Sequence, residues 1–214
     1  MCRGGKAMRT VAVTGGIGSG KSAVCEILGK RGIPVYDSDS AAKGLYGKDD
    51  SLLDAIEAAF GCGIRRADGL VDKDRLASLA FSSDDRLRTL ESIVHPAVLR
   101  DFLSWNAMQD ARFEEEGPSR IFFDKNPFCV MESAIILDKP EFLSVVDKVV
   151  MVDAPLPLRL ERACLRDGSP SEKVIRRMEA QHFDLSKVDA VIHNNGTLAM
   201  LEAETEEVFG RLDI

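Results

Sequence analysis

The residues that most clearly suggest chemistry form a glycine-rich turn near the start of the chain. Residues 11–22 read VAVTGGIGSGKS, in which Gly15, Gly20, Lys21 and Ser22 fit the spacing of a phosphate-binding P-loop. Glycines let the backbone curl so that successive N–H groups face one point, and the start of a following helix adds positive potential there. In such a loop, Lys21 reaches the β- and γ-phosphates of a nucleotide, and the Ser22 hydroxyl ligates Mg²⁺.

The alternative for this stretch is a glycine-rich turn that binds nothing. The context favours binding, because a β-branched apolar run precedes the loop and a helix-like segment, residues 22–30, follows it. We therefore expect ATP and Mg²⁺ at this site. The residues expected to contact the nucleotide here are Gly16, Ile17, Gly18, Ser19, Gly20, Lys21, Ser22 and Ala23, with Ser22 as the metal ligand.

Two carboxylates end the second apolar run of the chain. In residues 33–39, which read IPVYDSD, Asp37 and Asp39 are separated by one residue. Helix capping at the start of the next element explains this pattern. Equally, a carboxylate beside the P-loop can accept the proton of an attacking hydroxyl, or hold Mg²⁺ through water. The functional interpretation requires the first and second strands to lie close together in the sheet.

Two later apolar runs also end in a carboxylate. Residues 121–124 read IFFD and residues 149–153 read VVMVD, so Asp124 and Asp153 each have the form of a Walker-B-like acid. The pattern does not distinguish between them, and a strand-end cap explains either one equally well.

An arginine-dense helical stretch follows the fourth run. Arg159, Arg162 and Arg166 are three and four residues apart and share one helix face, and residues 167–171 then break the helix. A solvated charged hairpin is the alternative, but beside a P-loop we favour a lid over the triphosphate, at about residues 159–182. Arg162 and Arg166 are its better candidates.

Strand and helix signals alternate along the chain, which indicates βαβ units and a parallel sheet. We predict an α/β fold with five parallel strands, at residues 10–14, 33–37, 120–124, 146–153 and 190–193. Between the second and third strands, apolar residues recur at helical spacing, and this insertion is predicted to form a helical cap on the substrate side. A final helix is expected at residues 198–212. The expected organisation is one domain over residues 8–214, with a core of 8–37 and 119–214 and an insertion of 38–118.

Composition narrows the class of protein. The chain has 214 residues, is 45% hydrophobic and carries a net charge of -7, which argues against a nucleic-acid or membrane-surface protein. Its five cysteines are widely spaced without a C-x-x-C pair, so we expect reduced thiols in a cytoplasmic protein. Residues 1–7 are expected to form a disordered tail, and Met8 could equally be the native start.

Taken in order, these motifs resemble the dephospho-CoA kinase family over nearly the whole chain from Met8. The motifs that carry the resemblance are TGGIGSGKS at 14–22, DSD at 37–39, LESIVHP at 90–96, Arg162 with Arg166, Asp167 and Gly168, Arg177 with Gln181, and DAVIHNNG at 189–196. The resemblance implies the three-layer P-loop fold of the nucleoside-monophosphate kinases, with a helical substrate cap and a helical lid.

The resemblance also implies roles for individual residues. Asp39 would be the general base, Lys21 and Arg166 would assist catalysis, and Arg162 and Asn194 would contact the nucleotide. His95 and Asp138 would lie on the substrate side. The chain departs from the family pattern at Ala23, where a threonine is common, at His193, where an aspartate is usual, and at residues 134–138, AIILD, where the family has Pro-Leu-Leu-Phe-Glu.

The activity that the resemblance implies is transfer of the γ-phosphoryl group of ATP to the ribose 3′-hydroxyl of dephospho-CoA. We expect a monomer or small homo-oligomer that acts on these two small molecules, without nucleic-acid or membrane partners. A shikimate-type kinase is the nearest alternative, although the long insertion and His95 with Pro96 argue against it. A GTPase switch or regulatory nucleotide-binding module is disfavoured, because the chain has no Asn-Lys-x-Asp motif and no Asp-x-x-Gly switch.

Overall fold

A computed structural model describes residues 8–61, 63–66, 68–116, 127–168 and 171–214. The predicted disordered tail at 1–7 and the predicted strand at 120–124, with Asp124 at its end, lie outside the described residues. Among the residues that are described, no helix combines the length and apolar character needed to cross a lipid bilayer.

The centre of the fold is a five-stranded, all-parallel sheet, which confirms the predicted α/β class. Its strands are β1 (Arg9–Gly15), β2 (Val35–Asp37), β3 (Phe128–Glu132), β4 (Lys148–Asp153) and β5 (Ala190–His193). The strands are arranged in the order β2-β3-β1-β4-β5. β1 and β3 are almost entirely buried apolar runs, as expected for inner strands of a parallel sheet.

β3 is the element that the sequence analysis did not assign. Its residues, FCVME at 128–132, form a weaker β signal than the Ile-Phe-Phe run just before them, because cysteine and methionine are less typical of strands. β3 lies between β1 and β2, so the first and second strands are not direct neighbours. The register pairs Val13 of β1 with Glu132, which ends β3.

Nine α-helices occur in the described part of the chain. They are α1 (Lys21–Lys30), α2 (Ser38–Leu45), α3 (Asp50–Phe60), α4 (Lys73–Ala80), α5 (Asp84–Glu116), α6 (Pro140–Leu143), α7 (Leu156–Asp167), α8 (Ser171–Glu179) and α9 (Leu198–Arg211). The helical spacing read between the second and third strands is therefore confirmed in α2 to α5. Several begin at an acidic cap: the side chains of Asp37, Asp49 and Asp72 accept hydrogen bonds from first-turn amides.

The chain forms two compact units. The first contains the residues up to Tyr36 together with Asn106–Ile214, and the second is Asp37–Trp105. Helix α5 contributes residues to both. In the second unit, the buried residues of α3 and α4 include Leu52, Ile56 and Leu76, which follow the predicted helical stripe.

The core of the first unit is layered around the sheet. On one face, alternate residues of β1, such as Val11 and Val13, pack in a cluster with α1 and α9. The rings of Phe128 and Phe209 stack there with their centroids 5.9 Å apart. On the other face, the Asn106 amide of α5 donates to the Thr10 hydroxyl, 3.1 Å away. Helices on both faces of a parallel sheet give the three-layer arrangement.

Candidate active site

The P-loop connects the end of β1 to the start of α1. Gly20 caps α1 with a φ of 101°, a left-handed conformation that favours glycine, and a Cβ there would lie 2.1 Å from the Asn194 amide nitrogen. The Val24 amide donates to the Gly20 carbonyl at 3.1 Å, so the amides of residues 21–23 have no acceptor within their own helix. These amides and the positive end of α1 provide a site for an anion.

Lys21 lies over this loop. Its ammonium donates to the carbonyl oxygens of Gly15 at 2.8 Å and Gly16 at 3.3 Å. The charge is therefore held at the loop itself rather than extended into solvent. An ammonium in this position can exchange loop carbonyls for the oxygens of a bound phosphate.

Two buried hydroxyls of the loop have no hydrogen-bond partner among the described residues. The Thr14 and Ser19 side chains are 0% and 1% exposed, and neither oxygen is paired there. Buried polar groups normally find a partner in protein, water or ligand. The loop therefore has hydrogen-bonding capacity that the described side chains do not satisfy.

Ser22 makes the contact that matters most for a metal. Its hydroxyl donates to the carboxylate of Glu132 at 2.7 Å. A hydroxyl and a carboxylate are the hard oxygen ligands that Mg²⁺ prefers, so this pair fits the ion. No group of three or more His, Cys, Asp or Glu side chains that could hold a metal occurs in the described ranges. Mg²⁺ characteristically takes only one or two protein carboxylates and completes its shell with water and phosphate oxygens.

Asn194 supports the loop from β5. It is 6% exposed, and its amide nitrogen donates to the Ser19 carbonyl at 2.9 Å. Arg162 of α7 donates to the Asn194 backbone carbonyl at 3.3 Å and to its side-chain oxygen at 3.4 Å. Asn194 therefore connects the P-loop to one of the predicted lid arginines.

Arg166, the other predicted lid arginine, has a carboxylate partner. Its Nε donates to Asp167 at 2.7 Å, and Arg177 of α8 donates to the other oxygen of Asp167 at 2.9 Å. The hydrogen bond from Arg166 lowers the pKa of Asp167, and the one from Arg177 lowers it further. The Arg166 side chain is still 62% exposed, so its guanidinium remains accessible to a ligand.

Asp39 lies in the second unit, in the first turn of α2. Asp37 provides the cap: one of its carboxylate oxygens accepts from the amides of Asp39 and Ser40, both at 3.0 Å. The Asp39 carboxylate itself is exposed and makes no hydrogen bond or ion pair with another described residue. Capping, the alternative for this motif, therefore explains Asp37 but leaves the Asp39 carboxylate available.

Asp39 also lines a pocket of about 430 Å³ within the second unit. Much of the wall is apolar, including Leu76, Leu90 and Phe81, and Phe81 is 74% exposed. Lys43 and Lys73 add positive charge to the lining. Apolar walls with a few charged groups suit a ligand that has both hydrophobic and anionic parts.

Comparison with known proteins identifies the family. The family described as dephospho-CoA kinase matches residues 9–200. The chain belongs to the dephospho-CoA kinase family. It is 39% identical to the dephospho-CoA kinase of Porphyromonas gingivalis, covering 86% of this chain and 82% of that protein. It is 32% identical to that of Ralstonia nicotianae, covering 97% and 98%.

Solved structures agree with the fold. The structure of TT1252 from Thermus thermophilus is 29% identical and superposes with a TM-score of 0.71, covering 97% of this chain and all of that one. The dephospho-CoA kinase from Campylobacter jejuni superposes with a TM-score of 0.59 at 21% identity, covering 94% and 95%. The resemblance stated from the motifs is thus confirmed at the level of the family and its fold.

For this member of the dephospho-CoA kinase family, the structure brings together part of the predicted site. Residues 16–23 form the P-loop and the start of α1, Asn194 contacts the loop at Ser19, and Arg162 is joined to the loop through Asn194. His95 lies in α5 within the second unit, directly before Pro96. Asp138 ends a short 3₁₀ helix, Ile136–Asp138, in the first unit and is exposed. The substrate roles of Asp39, His95 and Asp138 remain predictions.

Sequence reasoning missed Glu132. It considered Asp124 and Asp153 as strand-end acids, whereas the acid that contacts Ser22 ends β3. Asp153 ends β4, where its backbone carbonyl accepts from the Asn194 amide. The motif alone could not have found Glu132, because β3 and β4 both lie beside β1 and only the folded chain shows that the acid of β3 contacts Ser22.

Proposed function

We propose that this chain transfers the γ-phosphoryl group of ATP to the ribose 3′-hydroxyl of dephospho-CoA, giving coenzyme A and ADP. The observation that carries the proposal is the P-loop of a dephospho-CoA kinase family member, with Lys21 lying over the loop and Ser22 in contact with Glu132. The loop amides and Lys21 bind the β- and γ-phosphates of ATP.

Ser22 and Glu132 would hold Mg²⁺ when it is bound. There the ion would neutralise phosphate charge and orient the phosphate oxygens. Arg162 and Arg166 approach the phosphates from α7 and stabilise the charge that spreads over the transferred group. Asn194 acts on the nucleotide through the loop that it supports and through Arg162.

Asp39 accepts the proton of the attacking hydroxyl. As the hydroxyl oxygen bonds to the γ-phosphorus, the bond from that phosphorus to the bridging oxygen of ADP breaks, and the hydroxyl proton passes to the Asp39 carboxylate. His95 and Asp138 belong to the acceptor side. In this proposal, residues 8–214 form one kinase domain, with residues 38–118 on the acceptor side and about 159–182 as the lid.

The setting of this reaction follows from its substrates. Both substrates are small and water-soluble, so we propose that the enzyme acts in the cytoplasm, without nucleic-acid or membrane partners. We propose that it is a monomer or a small homo-oligomer, since a P-loop kinase site can be built within one chain.

An acceptor screen tests the proposal. The purified protein, with ATP and Mg²⁺, is offered dephospho-CoA, shikimate or nucleoside monophosphates in parallel, and ADP formation is measured. We expect turnover that depends on dephospho-CoA and is strongly reduced in Lys21→Ala. Turnover with shikimate alone would identify the alternative kinase, and nucleotide binding without acceptor-dependent turnover would identify a regulatory module.

A further inference from the structure

Ile17 of the P-loop is held by the hairpin of α7 and α8. Its amide donates to the side-chain oxygen of Gln181, two residues beyond α8, at 2.8 Å. Its carbonyl accepts from Nε of Arg159, in α7, at 3.0 Å. Both polar groups of this one loop residue are therefore bonded to the hairpin.

The Ile17 side chain makes a third connection. The hairpin has a small apolar cluster of its own, formed by Ala163 of α7 with Val174 and Met178 of α8, all of them buried. Ile17 packs against this cluster. In the run Gly15, Gly16, Ile17, Gly18, it is the only residue whose side chain can make such a contact.

The glycines on either side of Ile17 allow the hairpin to approach so closely. A Cβ on Gly16 would lie 2.0 Å from the Arg159 guanidinium, and a Cβ on Gly18 would lie 2.1 Å from the Arg159 carbonyl oxygen. Gly18 also has a φ of 76°, which other residues rarely adopt. The first half of the loop is thus shaped both for phosphate and for contact with α7.

These contacts join the donor site to the element that carries the arginines. Arg162 and Arg166 lie on α7, one and two turns beyond Arg159. We propose that Ile17 and Gln181 are positioning residues that couple the P-loop to the α7–α8 hairpin. Phosphates that fill the loop fix the Ile17 peptide, and through it the hairpin and its arginines. The inference deepens the proposed function and rests on it for its effect on rate.

Coupling of this kind has a distinct kinetic signature. The arginines act mainly on charge that develops during transfer, so weakening the coupling lowers kcat more than it raises the KM for ATP. Coupling is also reciprocal, so a nucleotide in the loop must stabilise the hairpin. If the contact were purely structural, the variants would lose thermal stability. They would show neither the selective fall in kcat nor a loss of stabilisation of the hairpin by nucleotide.

The experiment compares four variants with the wild-type protein. Ile17→Ala removes the packing contact, Ile17→Val retains a β-branched side chain, and Gln181→Met removes the acceptor while keeping the side-chain length. Leu165→Ala is the control, since Leu165 lies on the same helix but is 79% exposed. For each protein we measure thermal unfolding, kcat, the KM for ATP, and amide hydrogen exchange in residues 174–179 with and without ADP.

We expect Ile17→Ala and Gln181→Met to lower kcat about fivefold to tenfold, the effect of losing one such interaction, with a change in KM of at most roughly threefold. Ile17→Val recovers most of the rate lost in Ile17→Ala, and Leu165→Ala matches the wild type. ADP slows exchange in residues 174–179 of the wild-type protein, and this protection is lost in Ile17→Ala and Gln181→Met.

Two results would overturn the inference. One is an unchanged kcat in both Ile17→Ala and Gln181→Met. The other is ADP protection of residues 174–179 that persists in these variants at the wild-type level. The exchange measurement needs no acceptor, so a wild-type protein that fails to phosphorylate dephospho-CoA but shows ADP protection would refute the proposed function and leave the coupling standing.

Discussion

The proposed Mg²⁺ site rests on one contact, the hydrogen bond from the Ser22 hydroxyl to the Glu132 carboxylate. The two side chains come from different elements, α1 and β3, and lie 2.7 Å apart. A serine alone is a weak ligand for Mg²⁺, whereas a carboxylate adds the charge that the ion prefers. The pair therefore makes a stronger case for a metal site than the P-loop motif does alone.

Glu132→Gln should weaken the response to Mg²⁺. Because the carboxylate orients and charges the site, we expect kcat/KM at limiting Mg²⁺ to fall about 10- to 100-fold, with partial recovery at high Mg²⁺. Titration of the rate with Mg²⁺ measures this. Glu26→Gln is the control, since Glu26 lies on α1 in an exposed pair with Lys30. Identical Mg²⁺ titrations for Glu132→Gln and the wild type would refute the role.

Cys129 of β3 gives a prediction about reactivity and pH. It is 0% exposed, and burial raises the pKa of its thiol to about 11, so only about one molecule in a thousand is a thiolate at pH 8. Peptide mapping after alkylation should show modification of Cys129 at least about 100-fold slower in the native than in the denatured protein. Because the unfolded thiol loses its proton more readily, raising the pH above about 8.5 also favours unfolding. Equal labelling of both states would contradict the assignment.

At the residue scale, the sequence predicts functional residues that lie close together along the chain. The P-loop could be predicted because its residue types and spacing all lie within eight positions. Glu132 and Gln181 could not, because their roles depend on contacts at sequence separations of 110 and 164 residues. Asp37 and Asp39 were both found by their motif, but the motif did not assign their roles. The structure shows that Asp37 caps the helix and that the Asp39 carboxylate is available.

At the scale of elements, the α7–α8 hairpin and β5 both act on the P-loop. The hairpin holds its first half at Ile17, and Asn194 at the end of β5 holds its second half at Ser19. Arg162 joins these two supports. The loop is therefore positioned by elements from the C-terminal third of the chain as well as by its own strand and helix.

Asn194→Ala should loosen the second half of the loop. It leaves the Ser19 carbonyl without its amide donor and removes an acceptor from Arg162, so we expect a loss of about 1–3 kcal/mol in unfolding free energy. The KM for ATP should rise as well. Denaturant unfolding and steady-state kinetics measure both effects. The exposed neighbour Asn195, changed to Ala, serves as the control. If both variants behave alike, Asn194 does not support the loop.

Most elements could be predicted from periodicity, and their limits fall close to those expected. β5 at Ala190–His193 and the start of α9 at Leu198 match, since turn residues separate them clearly. β3 could not be located, because two short apolar runs lie close together and residues 128–132 give the weaker β signal of the two. The position of β3 between β1 and β2 is a tertiary choice that no local signal encodes.

At the scale of the whole molecule, the proposed reaction draws on both compact units. The P-loop and its supports belong to the first, and Asp39 with its pocket belongs to the second. The helical insertion could be predicted from its spacing, and a substrate role was expected because ligands bind at the carboxyl ends of parallel strands. The residues that line its pocket could not be predicted, because they come from α2, α4 and α5 and meet only in the folded chain.

The most direct test measures phosphoryl transfer from ATP to dephospho-CoA by the wild-type protein and by Asp39→Asn, with both substrates saturating. Asp84→Asn is the matched control, since Asp84 also lies in the first turn of its helix. We predict that the wild type and Asp84→Asn form 3′-phosphorylated product, and that Asp39→Asn is slower by about 10²- to 10⁴-fold while its affinity for ATP is unchanged. No product from the wild type, or a near-wild-type rate in Asp39→Asn, would contradict the account.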